Sequence, residues 1–276
     1  MTAAATTTKN VITHLSFTRL KELAHSPLAL SRYIDKVFEP TAAMIDGQLI
    51  DCLLFTPDEF ESRFFVMPDD AKKPTKAQIN AAKPSPATLE QIERWDRLME
   101  SVKGRAIVKS EQVEEASFLA NSVRNDAVVT YSGLLNPDNF KFQVPVEFSY
   151  RGFFHRGVKD ADGKDRNGNR VVWDLKRMGS RSGEQLVRSQ IRNNMYDLQA
   201  AIYCHVEDSR NEPITYYLIA VDNDGYVTPF EIGRDAREKA RVQWNLLISA
   251  AHRLNMDEDL SQGPGFWGDS DGFFHY

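Results

Sequence analysis

The region between residues 144 and 176 constrains the fold more than any other part of the chain. Apolar and polar residues alternate in VPVEFSY (144–150) and in FFHRGVKD (153–160), and RVVWDLK (170–176) follows a polar loop rich in Gly, Asp and Asn. Because successive side chains on a strand point to opposite faces, a period of two predicts β-strands. We therefore expect three sequential strands in this region.

Helical periodicity surrounds these strands. A helix is expected over 183–206 and another over 234–255, with two strands between them at 214–221 and 226–232, joined by the turn DNDG. In the first half of the chain, periodicity and proline positions predict helices over 16–38 (with a Ser-Pro break), 43–56, 88–103 and 110–125.

This order of elements predicts an α/β fold, in which a central mixed sheet is flanked by helices and entered from a helical N-terminal region. The expected units are a disordered N-terminus, a helical region with a flexible insertion, an α/β core and a C-terminal tail. They cover residues 1–13, 14–130 (insertion 68–87), 131–256 and 257–276 in that order.

Composition excludes several classes of protein. The chain has no uninterrupted apolar run long enough to span a membrane, and its start lacks a secretory pattern, so we expect a cytoplasmic protein. Its two cysteines are too few for an iron–sulfur cluster, and its six histidines lack the paired spacing of a zinc site. A net charge of −5 means that any contact with a polyanion requires a local basic groove.

Two carboxylates and one lysine are expected to meet at an edge of the sheet. Asp160 ends one strand, and Asp174 and Lys176 share a face of the next strand. Phosphodiester hydrolysis uses carboxylates to hold Mg²⁺ and an ammonium group to orient water or neutralise charge. The alternative is an ordinary surface ion pair, although WDLK follows an apolar run that predicts a buried strand.

The predicted helix over 183–206 offers a second signal. Its apolar stripe is Val187, Ile191, Met195, Leu198 and Ile202. A parallel row one residue further along consists of Arg188, Arg192, Tyr196, Gln199 and Tyr203. Such a row suits a phosphate-lined groove, although a solvated helix boundary would have the same composition.

These motifs carry a family resemblance. YDLQAAIY (196–203) resembles the Q-x-x-x-Y motif that follows the D-x-K strand in the RecB-like branch of the PD-(D/E)XK nucleases. Within that branch the chain is most similar to the exodeoxyribonuclease VIII (RecE-type) exonucleases of phages and prophages, over roughly 14–250. SFTRLKELAHSPLALSRY resembles the opening helix and Ser-Pro break of that family, and GQLIDCLLFTPDEFESRFFV resembles its G-x-x-x-H segment.

The resemblance implies site residues. It assigns the catalytic centre to Asp160, Asp174 and Lys176, and supporting roles to Gln199 and Tyr203. Glu147 matches the glutamate that the family has on the strand before the first Asp. The chain departs from the family pattern at two positions. Asp51 stands where histidine is usual and is expected to ligate metal, unless it is a plain helix residue in a shifted alignment. Lys159 stands where proline is common and is expected to alter only the local backbone.

The resemblance also implies an activity. It predicts a PD-(D/E)XK restriction-endonuclease-like core with two-metal Mg²⁺ or Mn²⁺ hydrolysis of double-stranded DNA, proceeding 5′→3′ in phage-type recombination. It further implies a single-strand annealing protein as a partner, a ring-shaped homo-oligomer and, for a phage-encoded protein, the cytoplasm of a bacterial host. The alternatives are an endonuclease of the same fold and a catalytically silent binding module.

Weaker candidates remain. His155, Arg156 and Lys159 could contact DNA, although solvated charges at a strand end are the commoner explanation. The tail GPGFWGDSDGFFHY could dock on a partner, although packing of its aromatic residues on the protein's own surface is the simpler interpretation.

Overall fold

The computed structural model describes residues 11–37, 39–179 and 184–256. Its first helices are α1 (Phe17–His25) and α2 (Pro27–Asp35). The hydroxyl of Ser16 accepts from the backbone of Arg19 at the start of α1, and that of Ser26 accepts from Ala29 at the start of α2. Because Ser26 caps the second helix and Pro27 occupies its first turn, the Ser-Pro break predicted from the sequence is confirmed.

The rest of the first half is mainly helical. The helices are α3 (Ala42–Phe55), α4 (Phe60–Arg63), α5 (Lys76–Ile79), α6 (Pro86–Val102), α7 (Ser110–Asn125) and α8 (Ala127–Ser132). The predicted flexible insertion, 68–87, contains α5 and is joined to α6 by a hydrogen bond from Gln91 to the carbonyl of Lys72.

A mixed sheet forms the centre of the molecule. Its strands are β1 (His14–Leu15), β4 (Phe140–Tyr150), β5 (Phe153–Lys164), β6 (Arg170–Met178), β7 (Thr215–Asp222) and β8 (Val227–Glu231). The order is β1-β5-β6-β7-β8, with β4 also paired to β5. The β6–β7 and β1–β5 pairs are parallel, and the other pairs are antiparallel. The predicted α/β architecture with a central mixed sheet is confirmed.

A second, two-stranded parallel sheet joins β2 (Phe64–Met67) to β3 (Ala106–Lys109). Neither strand is predicted by the sequence pattern. Each has only four residues, and β2 is apolar throughout, so neither shows the alternation that marks a half-buried strand.

Helices cover both faces of the central sheet. The remaining ones are α9 (Glu184–Asn194), α10 (Tyr196–Tyr203), α11 (His205–Ser209) and α12 (Arg234–Asn255). One core contains Leu20 of α1, Leu198 of α10 and Trp244 of α12. The other contains Leu49 of α3 and Leu119 of α7. Neighbouring β6 residues belong to different cores, so the helical N-terminal region is divided between the two faces of the sheet.

The prediction of one continuous helix over 183–206 is wrong. Met195 has a left-handed backbone (φ 57°) and separates α9 from α10. The backbone N–H groups of Leu198 and Gln199 both bond to the carbonyl of Met195 as the second helix begins. Every residue of α10 from Leu198 to Tyr203 is buried, whereas α9 buries only Val187, so packing in the core sets the direction of α10 independently of α9. Among the described helices, none is long and apolar enough to cross a membrane.

Candidate active site

Strands β5 and β6 separate at the site. Their ladder runs from Lys164↔Arg170 to Ala161↔Trp173, and Asp160 and Asp174 are the next residues on the two strands. Beyond this point the other half of β5 pairs with β1 instead, through Phe154 and His155. The two aspartates therefore stand at the point where the strands part.

The divergence leaves a backbone donor for a carboxylate. The N–H of Leu175, one residue past Asp174, donates to Oδ2 of Asp160 over 2.7 Å. A buried backbone N–H needs a partner, and Asp160 supplies it where the neighbouring strand no longer can. This hydrogen bond fixes the orientation of the Asp160 carboxylate.

Asp174 is held from both sides. The whole residue is only 1% exposed. Oδ1 accepts a hydrogen bond of 3.0 Å from the amide of Gln199 on α10, and Oδ2 forms an ion pair with Nζ of Lys176. Lys176 and Asp174 are two residues apart on β6 and therefore share a face, as the D-x-K spacing predicted.

Asp51 joins this group from α3, which contacts β6. The pKa of its carboxyl is raised to about 7, mainly by burial and also by the negative charge of Asp174, while Lys176 and Arg63 oppose the shift. Because α3 contacts β6, Asp51 lies within electrostatic range of Asp174 and Lys176, even though it precedes Asp174 by 123 residues in the sequence.

The charges at the site depend on one another. Burial raises the pKa of Asp160 well above its ordinary value, and Asp174 and Asp51 add to the shift. Burial disfavours the ammonium of Lys176, but Asp174 and Asp160 outweigh that effect and raise its pKa. Three carboxyl groups therefore share one lysine, and the site favours additional positive charge.

Two tyrosines line the site. The ring of Tyr196 lies 5.4 Å from Nζ of Lys176. Tyr203 packs over Gly157 of β5, where a Cβ atom would come within 2.8 Å of a ring carbon, so glycine is required for this approach. Burial is the main reason that the pKa of Tyr203 rises to about 12, which keeps its hydroxyl protonated as a hydrogen-bond donor.

Several predicted residues lie apart from this group. Glu147 is exposed on β4, where it pairs with Arg156, four residues along β5 from Asp160. Arg188 is exposed, forms an ion pair with Glu184 and lies 4.8 Å from the ring of Phe230, and Arg192 is exposed on α9. Because α9 ends before Met195, the predicted continuous row of five polar residues is not formed. Phosphate binding by the two arginines stays a prediction.

Two residues near the strand end are buried, contrary to the sequence interpretation. His155 has no exposed surface and stacks on Phe148 with a ring separation of 5.2 Å. Lys159 is 5% exposed and forms an ion pair of 2.7 Å with Asp162. Solvated charge was expected at both positions, but Tyr203 of α10 packs over this part of β5 and Trp244 of α12 lies 5.0 Å from the ring of His155. The sequence of the strand alone does not reveal that layer.

Three further residues near the site were not predicted from the sequence. Tyr216 of β7 is fully buried, and its pKa is raised well above the ordinary value by burial first and then by Asp174. Lys21 of α1 and Arg63 of α4 also lie within electrostatic range of the group, through Lys176 and Asp51 respectively. No local motif identifies any of these three, because each reaches the site through tertiary packing.

The donor set suits a hard divalent cation. Carboxylate oxygens are the preferred protein ligands of Mg²⁺, and the crowding of Asp51, Asp160 and Asp174 is relieved by positive charge. Within the described residues, no group of three or more His, Cys, Asp or Glu side chains is arranged so that it could hold a metal ion by itself. Mg²⁺ does not need such a group, since it commonly keeps several waters and takes one or two carboxylates together with substrate phosphate.

No family model and no curated protein matches the chain. Among solved structures, it is similar to one named "Putative exonuclease" from Eubacterium rectale, with a TM-score of 0.56, 12% identity, and coverage of 93% of this chain and 87% of that one. A second structure, SSO0001, has a TM-score of 0.32, 17% identity, and coverage of 76% and 86%, which is too low to carry an argument. The first similarity shows a shared fold over nearly the whole chain.

Proposed function

We propose that this protein is a metal-dependent deoxyribonuclease that hydrolyses phosphodiester bonds. The observation that carries the proposal is the meeting of Asp160, Asp174 and Lys176 where β5 and β6 separate, with Asp51 brought to them by α3. A purely structural ion pair would not need two further, half-buried carboxyl groups near it, because their repulsion costs stability. The solved structure with the same fold, named "Putative exonuclease", supports the broader assignment of this protein as a nuclease.

In this proposal, Asp160 and Asp174 hold Mg²⁺ or Mn²⁺ with the help of Asp51, and two ions are expected. When bound, the metal supplies Lewis-acid activation of the phosphate and an acidified water. The protein contributes the orientation of its ligands. Leu175 fixes Asp160 through its backbone N–H, and Gln199 fixes Asp174 through its side-chain amide.

Lys176 has a different role in the proposed reaction. Its ammonium stays charged beside Asp174 and Asp160, so it does not serve as a proton acceptor near neutral pH. Instead it orients the attacking water and neutralises charge that develops on the phosphate. Tyr196, whose ring lies beside Nζ of Lys176, limits the positions that the ammonium can take.

The proposed substrate is double-stranded DNA, degraded 5′→3′ during phage-type recombination, with a single-strand annealing protein as partner and a ring-shaped homo-oligomer as the working form. These finer features rest on the sequence resemblance of 14–250 to RecE-type exonucleases. Glu147 is retained in the proposal as an accessory acid, which would act only after a movement of β4 or through the substrate, since it is exposed and distant along the strand.

Digestion of end-labelled linear duplex DNA with and without Mg²⁺ tests the proposal. We expect metal-dependent release of label, and no release by an Asp174→Asn variant whose melting temperature shows that it is folded. A covalently closed circular duplex in parallel distinguishes an exonuclease, which leaves it intact, from an endonuclease, which cuts it. Absence of cleavage of DNA with either Mg²⁺ or Mn²⁺, combined with retained DNA binding, would favour the silent binding module instead.

A further inference from the structure

Lys21 lies on α1 at the edge of the candidate site. Its Nζ donates a hydrogen bond of 3.1 Å to Oδ1 of Asn194, the last residue of α9. Asn194 is two residues before Tyr196, whose ring lies 5.4 Å from Nζ of Lys176. The ammonium groups of Lys21 and Lys176 thus both contact one short segment, residues 194–196, at the junction of α9 and α10.

The environment of Lys21 is unusual for a lysine. Among the described residues, no carboxylate forms an ion pair with Lys21, whose ammonium donates instead to the neutral side-chain amide of Asn194. Burial lowers its pKa, Lys176 lowers it further, and the nearby Glu22 only partly compensates. A half-buried cation within electrostatic range of a second cation, with spare hydrogen-bond donors, is the arrangement that an anionic ligand stabilises.

We propose that Lys21 binds a non-reacting phosphate of the DNA strand whose scissile phosphate lies at Lys176. This inference rests on the proposed function, and it assigns to the N-terminal helix a direct contact with substrate. It also places a phosphate contact on an element that is firmly attached to the core, since α1 packs against α10 and α12.

The competing explanation is that Lys21 only links α1 to α9. In that case its single hydrogen bond to Asn194 would contribute to stability, and its charge would be irrelevant to DNA. The two explanations differ in the salt dependence of binding, because each phosphate contact made by a cation contributes about one unit to the slope of log Kd against log salt.

Fluorescence anisotropy of a labelled duplex, without divalent metal so that no cleavage occurs, measures this slope between about 50 and 200 mM salt. We expect Lys21→Gln to reduce the slope by about one unit and Lys21→Arg to retain it. Lys239→Gln, at an exposed position of α12, is the matched control and should retain the wild-type slope. In steady-state cleavage, Lys21→Gln should raise KM by more than it lowers kcat.

An unchanged slope in Lys21→Gln, with wild-type DNA still bound and cleaved, overturns this inference and leaves the proposed nuclease intact. Wild-type protein that neither binds nor cleaves DNA overturns the proposed function itself. If Lys21→Gln is unfolded, Asn194→Ala distinguishes the two explanations. This variant removes the acceptor that positions the ammonium of Lys21 but keeps the charge of Lys21. DNA affinity lowered severalfold in Asn194→Ala then supports a phosphate contact, and unchanged affinity contradicts it.

Discussion

The backbone N–H of Leu175 donates to the carboxylate of Asp160 over 2.7 Å, at the point where β5 and β6 cease to pair. The same divergence that opens the sheet therefore also orients an acidic side chain within the opening. Asp174 lies directly before Leu175 on β6, so the strand that provides the second carboxylate also fixes the first. The opening in the sheet and the orientation of the Asp160 carboxylate are therefore both consequences of the separation of β5 from β6.

This relationship predicts different stabilities for two Asp160 variants. Asp160→Asn keeps an oxygen that can accept from Leu175 and removes a charge that burial disfavours, so it should fold with nearly wild-type stability. Asp160→Ala leaves the N–H of Leu175 without its partner, which should cost about 1–3 kcal/mol in the free energy of unfolding. Both variants should lose cleavage. Urea unfolding of the two proteins checks the difference, and equal stabilities would mean that the hydrogen bond is unimportant.

Lys176→Gln separates catalysis from metal binding. Because the ammonium is proposed to act on water and phosphate, its removal should slow cleavage by about 100-fold or more. Metal affinity should be retained, since loss of the positive charge increases the mutual repulsion of Asp160 and Asp174 and so favours a cation. Isothermal titration with Mg²⁺ measures this affinity. Collapse of metal binding together with activity would show that Lys176 is part of the metal site.

Asp51 occupies the position at which the family resemblance leads one to expect histidine. Asp51→Asn removes a negative charge beside Asp174, so the rise in melting temperature caused by Mg²⁺ should be smaller and cleavage slower. Asp51→His should preserve more activity than Asp51→Asn, because imidazole can still coordinate a metal. Thermal unfolding with and without Mg²⁺, together with cleavage rates, compares the three proteins. An identical metal response in all of them would remove Asp51 from the site.

The sequence predicts this site better than it predicts the surroundings. The meeting of Asp160 with Asp174 follows from two neighbouring strands and a short loop, and the shared face of Asp174 and Lys176 follows from strand periodicity. The break at Met195 was not predictable from periodicity, because the apolar stripe continues through it without glycine or proline. The position of Lys21 depends on how α1 packs against α10, which no local pattern records.

Gly157 and Tyr203 provide a test of packing beside the site. A methyl group at Gly157 would approach a Tyr203 ring carbon to 2.8 Å, so Gly157→Ala should displace the ring and cost about 1–3 kcal/mol in the free energy of unfolding. Cleavage should also fall, because Tyr203 and Gln199 share α10. In the double variant with Tyr203→Ala, the clash is absent, and the cost of Gly157→Ala should largely disappear. Additive costs in this double-mutant cycle would contradict the proposed contact.

The buried His155 predicts a specific sensitivity to acid. Burial, assisted by the charge of His205, lowers its pKa from 6.5 to about 4 in the folded protein. In the unfolded chain the imidazole takes up a proton at the higher value, so the unfolded state binds more protons between these limits. The stability of the fold is therefore unaffected by His155 above pH 6.5 and falls as the pH drops from 6.5 towards 4, by about 3 kcal/mol at most.

His155→Phe isolates this contribution. Phenylalanine can retain the stacking on Phe148, where the two rings are inclined by only 12°, but it cannot be protonated. The carboxyl groups of Asp51 and Asp160, whose pKa values are raised, act in the opposite sense in both proteins and cancel in the comparison. Urea unfolding at a series of pH values should therefore show the variant gaining stability relative to wild type as the pH falls below 6.5. A constant difference between the two proteins across that range would show that His155 does not titrate between the folded and unfolded states.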